Sequence, residues 1–182
     1  MNIEKFWELV EECKDADHPE IVLAESLDLL SAEEVLMFAY YLDQMHDYAY
    51  RNDIWCAAYL LNGGCGDDGF HYFRYGLISK GRRIYEGALK NPDHLQILWD
   101  ERPIENEAFG SAAREVYEKK TGIDFFEAIE RLPENCRSKG FDLYIDGALY
   151  VHPDIEGWDF EDEEENRKRL PGLSALDYES QS

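Results

Sequence analysis

The sequence predicts a mainly α-helical protein: a compact multi-helix single domain over residues 1–152, followed by an acidic C-terminal extension over 153–182 that is partly docked or mobile. Three observations carry that reading. Apolar residues recur at three- and four-residue steps through most of the chain before Pro133. Helix start and stop residues stand where those stripes begin and end. The 182 residues, 45% of them hydrophobic, suffice for one core without metal or disulfide staples.

Taken in order, Ile3, Phe6, Trp7, Val10 and Cys13 share one face of a first helix, for which Asn2 is the cap. Pro19 suits the first turn of a second helix, less cleanly periodic through Ile21, Val22, Leu23, Leu27, Leu29 and Leu30, which stops before Ser31. Ser31-Ala32-Glu33-Glu34 is a capping box, in which the Ser31 hydroxyl satisfies the Glu34 amide while the Glu34 carboxylate reaches back. Val35, Phe38, Ala39, Leu42, Met45 and Ala49 continue that stripe. Asp53 is the cap of a further helix, and hardly a polar residue separates its Trp55, Ala58, Tyr59 and Leu61, so it is central.

The stretch NGGCGDDG from Asn62 to Gly69 holds four glycines in eight residues and cannot continue that helix. Asp67 or Asp68 caps the next, which carries Phe70, Phe73, Leu77, Ile78 and Tyr85, with Gly76 and Gly81 placed for close packing. Asn91-Pro92-Asp93 opens a new segment. Ala108, Ala112, Ala113, Val116 and Tyr117 form a helix closed by Thr121-Gly122, and Asp124 caps a short one running through Leu132.

After Pro133, Phe141, Leu143 and Ile145 alternate with polar residues before Asp146-Gly147 and the run from Ala148 to Val151. That pattern fits a small C-terminal β-hairpin or irregular chain laid over the helices. The acid run DIEGWDFEDEEE and the cluster Arg167-Lys168-Arg169 suit local helix pairs, with Trp158 and Phe160 docking on the body and the last residues mobile.

The formal charge is -22, with a sequence pI near 4.4, and the acids are spread along the whole chain. No basic stripe is present to displace counterions, which argues against nucleic acid as a partner. A basic protein is the easier partner electrostatically, although the charge can equally serve solubility alone. No apolar run approaches the ~18 residues of a membrane span. The opening MNIEKFWELVEE carries acids where an export signal needs bases, so a cytoplasmic location is expected. Cys13, Cys56, Cys65 and Cys136 are widely spaced and form no CxxC pair; reduced thiols, no zinc site and no cofactor follow.

The residues that offer chemistry cluster between Cys65 and Arg74. Cys65 precedes a helix N-terminus, a nucleophile's setting, but Asp67 and Asp68 raise a thiol pKa and only His71 offers a base; a small buried residue filling the turn is the preferred reading. Asp67 and Asp68 stand four and three residues before His71, a spacing that can hold a divalent metal, against which helix capping is preferred. The loop lacks the Lys-Ser/Thr ending of a phosphate cradle. Arg74 in FHYFRYG stacks on rings while binding a carboxylate ligand, or pairs internally with Asp67, Asp68 or Glu86. Tyr40, Tyr41, Tyr48, Tyr50 and Tyr59 suit a protein interface or ordinary core packing.

Trp55, Ala57-Ala58-Tyr59, Gly63-Gly64-Cys65, Asp67-Asp68-Gly69-Phe70, Tyr72-Phe73-Arg74, Leu77-Ile78, Gly81, Tyr85-Glu86 and Pro92-Asp93, with Phe6-Trp7 near the start, resemble an uncharacterised bacterial family, the domain of unknown function family numbered 4240. Gly66 departs from the serine more usual at its position, so any chemistry of that hydroxyl is missing here. The resemblance implies a shared fold and no activity. Trp55, Tyr59, Asn62, Cys65, Asp67, Asp68, His71 and Arg74 are therefore the candidates for binding a ligand or partner. The favoured function is an acidic binding or regulatory module for a protein partner, antitoxin-like or inhibitor-like. The alternative is a small enzyme or ligand- or metal-binding domain built on the same residues.

Overall fold

The computed structural model describes residues 1–130 and 141–181, the last four of these as backbone. Its helices are α1 (Ile3–Cys13), α2 (Pro19–Asp28), α3 (Ala32–Tyr48), α4 (Asn52–Asn62), α5 (Asp67–Ser79) and α6 (Arg82–Lys90). A 3₁₀ segment (Pro92–Glu101) leads to α7 (Glu107–Thr121) and α8 (Phe125–Glu130). The antiparallel strands β1 (Tyr144–Ile145) and β2 (Ala148–Leu149) precede α9 (Glu163–Arg169) and α10 (Pro171–Gln181).

Local chemistry sets most of these boundaries. Asn2 accepts from the Lys5 amide at 2.9 Å, and the capping box closes with Ser31 N donating to Glu34 Oε2 at 3.0 Å. Asn106 caps α7, Gly122 ends it in the left-handed region, and Asp124 accepts from the Glu127 amide. The hairpin pairs Tyr144 with Leu149 and Ile145 with Ala148 across Asp146-Gly147, both at positive φ, as a two-residue turn of this hand requires. In α9, Glu163 pairs with Arg167, and Glu165 with both Lys168 and Arg169, ordering charges that lie one helical turn apart.

One core runs through these elements. Phe6, Phe38, Phe70, Phe73, Tyr85 and Phe109 are fully buried in it, and α7 packs across both α2 and α3. Leu143, Ile145, Leu170 and Leu173 join the same core from beyond residue 140. Asp93 accepts from the Gly172 and Leu173 amides at 3.0 and 2.9 Å, tying α10 to the 3₁₀ segment. Phe160 lies against Trp55 and Tyr59, and the Trp158 indole donates to buried Asn166.

Three boundaries differ from the sequence reading. Arg51 occupies the cap position of α4, and Asp53 sits in its first turn, where it accepts from the Ile54 amide and pairs with Arg51. Gly66 is the cap residue of α5, so Asp67 and Asp68 fall inside the helix and cap nothing. Gly81, at φ +90, breaks the chain between α5 and α6, placing Tyr85 on a separate helix. Pro171–Gln181 form a helix that the sequence reading did not place. Leu132, Pro133 and Cys136 lie outside the described residues.

Gly76 meets the expectation of close packing: a Cβ built there stands 2.9 Å from the Glu105 backbone. At Gly69 the same atom meets only Cys65 Sγ, at 3.6 Å. Gly69→Ala is expected to raise stability by up to about 1 kcal/mol through helix propensity. Gly76→Ala is expected to lower it by about 1–3 kcal/mol, because overpacking against backbone outweighs the same propensity gain. Urea unfolding midpoints of the two variants check both signs.

Candidate functional site

The α4–α5 turn is held from three sides. The Gly63 and Gly64 amides both donate to the Tyr59 carbonyl, and both glycines adopt positive φ. The Trp55 indole donates to the Cys65 carbonyl at 2.8 Å while its ring stacks on Phe70, centroids 4.7 Å apart. Asn62 clamps Ile104, donating to its carbonyl at 3.2 Å and accepting from its amide at 3.0 Å. Trp55 and Asn62 are thus braces for the turn, and Tyr59 supplies its closing carbonyl.

The chemistry proposed for this turn does not assemble. Burial first, and then the Glu105 carboxylate, push the Cys65 thiol up to about 11, leaving a small thiolate fraction near neutral pH. Its only hydrogen-bonding contact is the Gly66 carbonyl at 3.8 Å, so no base acts on it among the described residues. Asp67 and Asp68 are exposed in the first turn of α5, where they favour the helix dipole. Among the described residues no group of three or more His, Cys, Asp or Glu is arranged to hold a metal.

Arg74 turns the other way, into the core, and is 5% exposed. Its Nη1 donates to His46 Nδ1 at 2.9 Å and to the His46 carbonyl at 3.0 Å, and its Nε to the Phe70 carbonyl at 3.4 Å. The guanidinium carbon lies 4.7 Å from the Tyr50 ring centre and 4.9 Å from that of Phe70. Pairing with Asp67, Asp68 or Glu86 does not occur, and Glu86 instead accepts from Arg82 at 2.6 Å. Residue types near in sequence suggested those pairs, but Arg74 leaves α5 on the side facing α3.

His46 completes the arrangement. With Nδ1 accepting from Arg74, its Nε2 donates to the His71 carbonyl at 3.2 Å, which fixes the tautomer. Tyr75 stacks on the ring at 4.2 Å, and the exposed His71 meets its edge at 4.6 Å. Burial, reinforced by the Arg74 charge, lowers the His46 pKa to about 3, so the ring is a neutral acceptor across the physiological range. The same two causes lower His71, opposed by Asp68 and Glu107. The cluster is built to hold a buried charge. The candidates divide between exposed Asp67, Asp68 and His71, half-buried Cys65, and buried Arg74.

Sequence reasoning missed His46, the groove between α2 and α7, and a cleft of about 640 Å³ at Arg51 and Tyr150. The alternation of apolar and acidic residues at Glu20, Ile21, Ala24, Glu25 and Asp28 carried a signal for the groove. Arg51 and Tyr150 are 99 residues apart, and no local pattern joins them.

Fold and turn together define a helical domain whose glycine–acid loop is a braced connection. The chain belongs to the DUF4240 family of proteins of unknown function, whose family model matches residues 1–119, from α1 through nearly all of α7. Comparison with curated proteins and with solved structures finds no match. Among the described residues no helix is long and apolar enough to cross a membrane.

His46 makes stability depend on pH with a definite sign. The unfolded imidazole titrates near its ordinary 6.5 and the folded one near 3, so between these the unfolded state holds the extra proton. Stability present above pH 6.5 is therefore lost on acidification, approaching about 1.4 kcal/mol per pH unit below that point. His46→Gln keeps one donor and one acceptor without the titration. Urea unfolding at pH 7 and pH 5 is expected to show a smaller loss for His46→Gln than for wild type.

Proposed function

We propose that this protein is a non-catalytic cytoplasmic binding or regulatory module whose partner is a basic protein, in the manner of an antitoxin or an inhibitor. The observation that carries the reading is a groove of about 390 Å³ between α2 and α7. Ile21, Ala24, Ala108, Ala112 and Val116 form its apolar surface, and Ile21 is 53% exposed. Four carboxylates, Glu20, Glu25, Asp28 and Glu115, line it with Lys119, and Lys119 and Lys120 both reach Asp28, at 3.8 and 3.6 Å. Small residues on α7 leave the space, and acids on both helices set its sign.

A basic amphipathic helix matches this surface, with its apolar stripe in the groove and Lys or Arg on the rim. The charge of the whole chain adds long-range attraction, which speeds encounter and is screened by salt. The alternative, a small enzyme or metal-binding domain using Cys65 to Arg74, needs side chains that here face solvent and core separately.

Capture from native lysate at low and high salt, with wild type, Asp67→Ala/Asp68→Ala and Glu25→Lys/Glu115→Lys, tests the reading. A basic partner is expected to elute with salt, to be retained by the Asp67/Asp68 variant, and to bind the charge-reversed variant at least about tenfold more weakly. A ligand or partner lost only in a folded Asp67/Asp68 variant would instead place the function in the turn.

A further inference from the structure

The cleft at Arg51 lies where the family-matched part of the chain meets the segment beyond it. Arg51, Leu89, Lys90, Asn91 and Pro92 come from one side, and Ile145, Tyr150, Ile155, Trp158, Arg169 and Leu170 from the other. Three cations line it, each paired with a carboxylate, Arg51 with Asp53, Lys90 with Asp146 and Arg169 with Glu165, so the cleft is close to neutral on the surface of a strongly acidic chain. Both Asp53 oxygens are already occupied by Arg51, and one of them also by the Ile54 amide.

The remaining hydrogen-bonding capacity is for donation. Tyr150 accepts from Arg51 Nη1 at 2.6 Å, and among the described residues nothing accepts the Tyr150 hydroxyl hydrogen. Arg169 lies 4.4 Å over the Trp158 ring and donates to Glu165 through Nε, which leaves its two terminal nitrogens. Asn91 uses its side-chain oxygen on the Asp93 amide and keeps its NH₂ group. Lys90 pairs with Asp146, but both side chains are well exposed, and such a pair exchanges readily. Leu89, Pro92, Ile145 and Leu170 supply apolar walls.

We propose that this cleft binds a small organic carboxylate, its apolar body against the Leu89, Ile145 and Trp158 walls and its carboxylate on the donors of Tyr150, Arg169 and Lys90. A single negative charge fits better than a dianion, because Asp53, Asp146 and Glu165 stand behind the same cations. Occupancy would join Tyr150 and α9 to α4 and α6, so the ligand would also fasten the segment beyond residue 140 onto the body.

The test uses the full chain and 4-phenylbutyrate as probe, with its neutral amide and inorganic phosphate as comparisons, followed by ¹H–¹⁵N spectra of the Trp158 indole and the arginine Nε groups. The carboxylate is expected to give saturable shifts at the Trp158 indole, with the amide at least about tenfold weaker, since hydrogen bonds to a charged acceptor are the stronger ones. Tyr150→Phe and Arg169→Gln, with otherwise unchanged spectra, are each expected to weaken it by about three- to tenfold. Absence of saturation by about 10 mM would overturn the proposal. So would equal binding of the amide, tighter binding of phosphate, or indifference to both substitutions.

Discussion

The interaction on which the centre of the molecule depends is the burial of the Arg74 charge without an ion pair among the described residues, Asp47 acting on it only through space. An isolated charge in a protein interior is costly unless hydrogen bonds and polarisable groups replace its water. Here a neutral histidine, two carbonyls and two aromatic faces do so. The members come from three places: His46 from α3, Tyr50 from the α3–α4 connection, Phe70 and Arg74 from α5. The cluster thereby fixes how α3 lies on α5, and it places Phe70 where Trp55 stacks on it. Since Trp55 also holds the Cys65 carbonyl, the conformation of the glycine–acid turn follows from the same constraint.

That constraint decides what the turn is available for. An arginine committed to the core cannot bind an anion beside Cys65, and the Cys65 thiol meets the Gly66 carbonyl rather than the His71 ring. Among the conspicuous residues of the sequence, Trp55, Tyr59 and Asn62 brace the turn and Arg74 packs into the core, and under the proposed function recognition lies elsewhere. The α2–α7 groove falls within the family-matched residues, whereas the Arg51 cleft needs both that part and the chain beyond it. The two share no lining residue, so occupants of one would not compete for the other.

Much of the helical architecture was legible because its determinants are local. Asn2, the Ser31 to Glu34 box, Pro19, Gly122 and the Asp146-Gly147 turn each act within a few residues of the boundary they set. The α5 start was misplaced by one or two residues because Gly66, Asp67 and Asp68 are consecutive and all suit a cap. The Gly81 break was hidden because a glycine within an apolar stripe reads equally as close packing. What the sequence concealed is long-range: His46 is 28 residues from Arg74, and Asn166 is 110 from the Cys56 thiol that donates to it. The charged surroundings of Leu170 and Leu173 likewise masked two residues that complete the core.

The central claim, that recognition belongs to the α2–α7 groove and the Cys65 to Arg74 turn is scaffold, is tested most directly by mapping a footprint. Titration of ¹⁵N-labelled protein with a basic amphipathic helical peptide reports which amides respond. The account predicts salt-sensitive shifts confined to residues 20–28 and 108–119. Shifts centred on residues 63–71, with α2 and α7 unmoved, would contradict it.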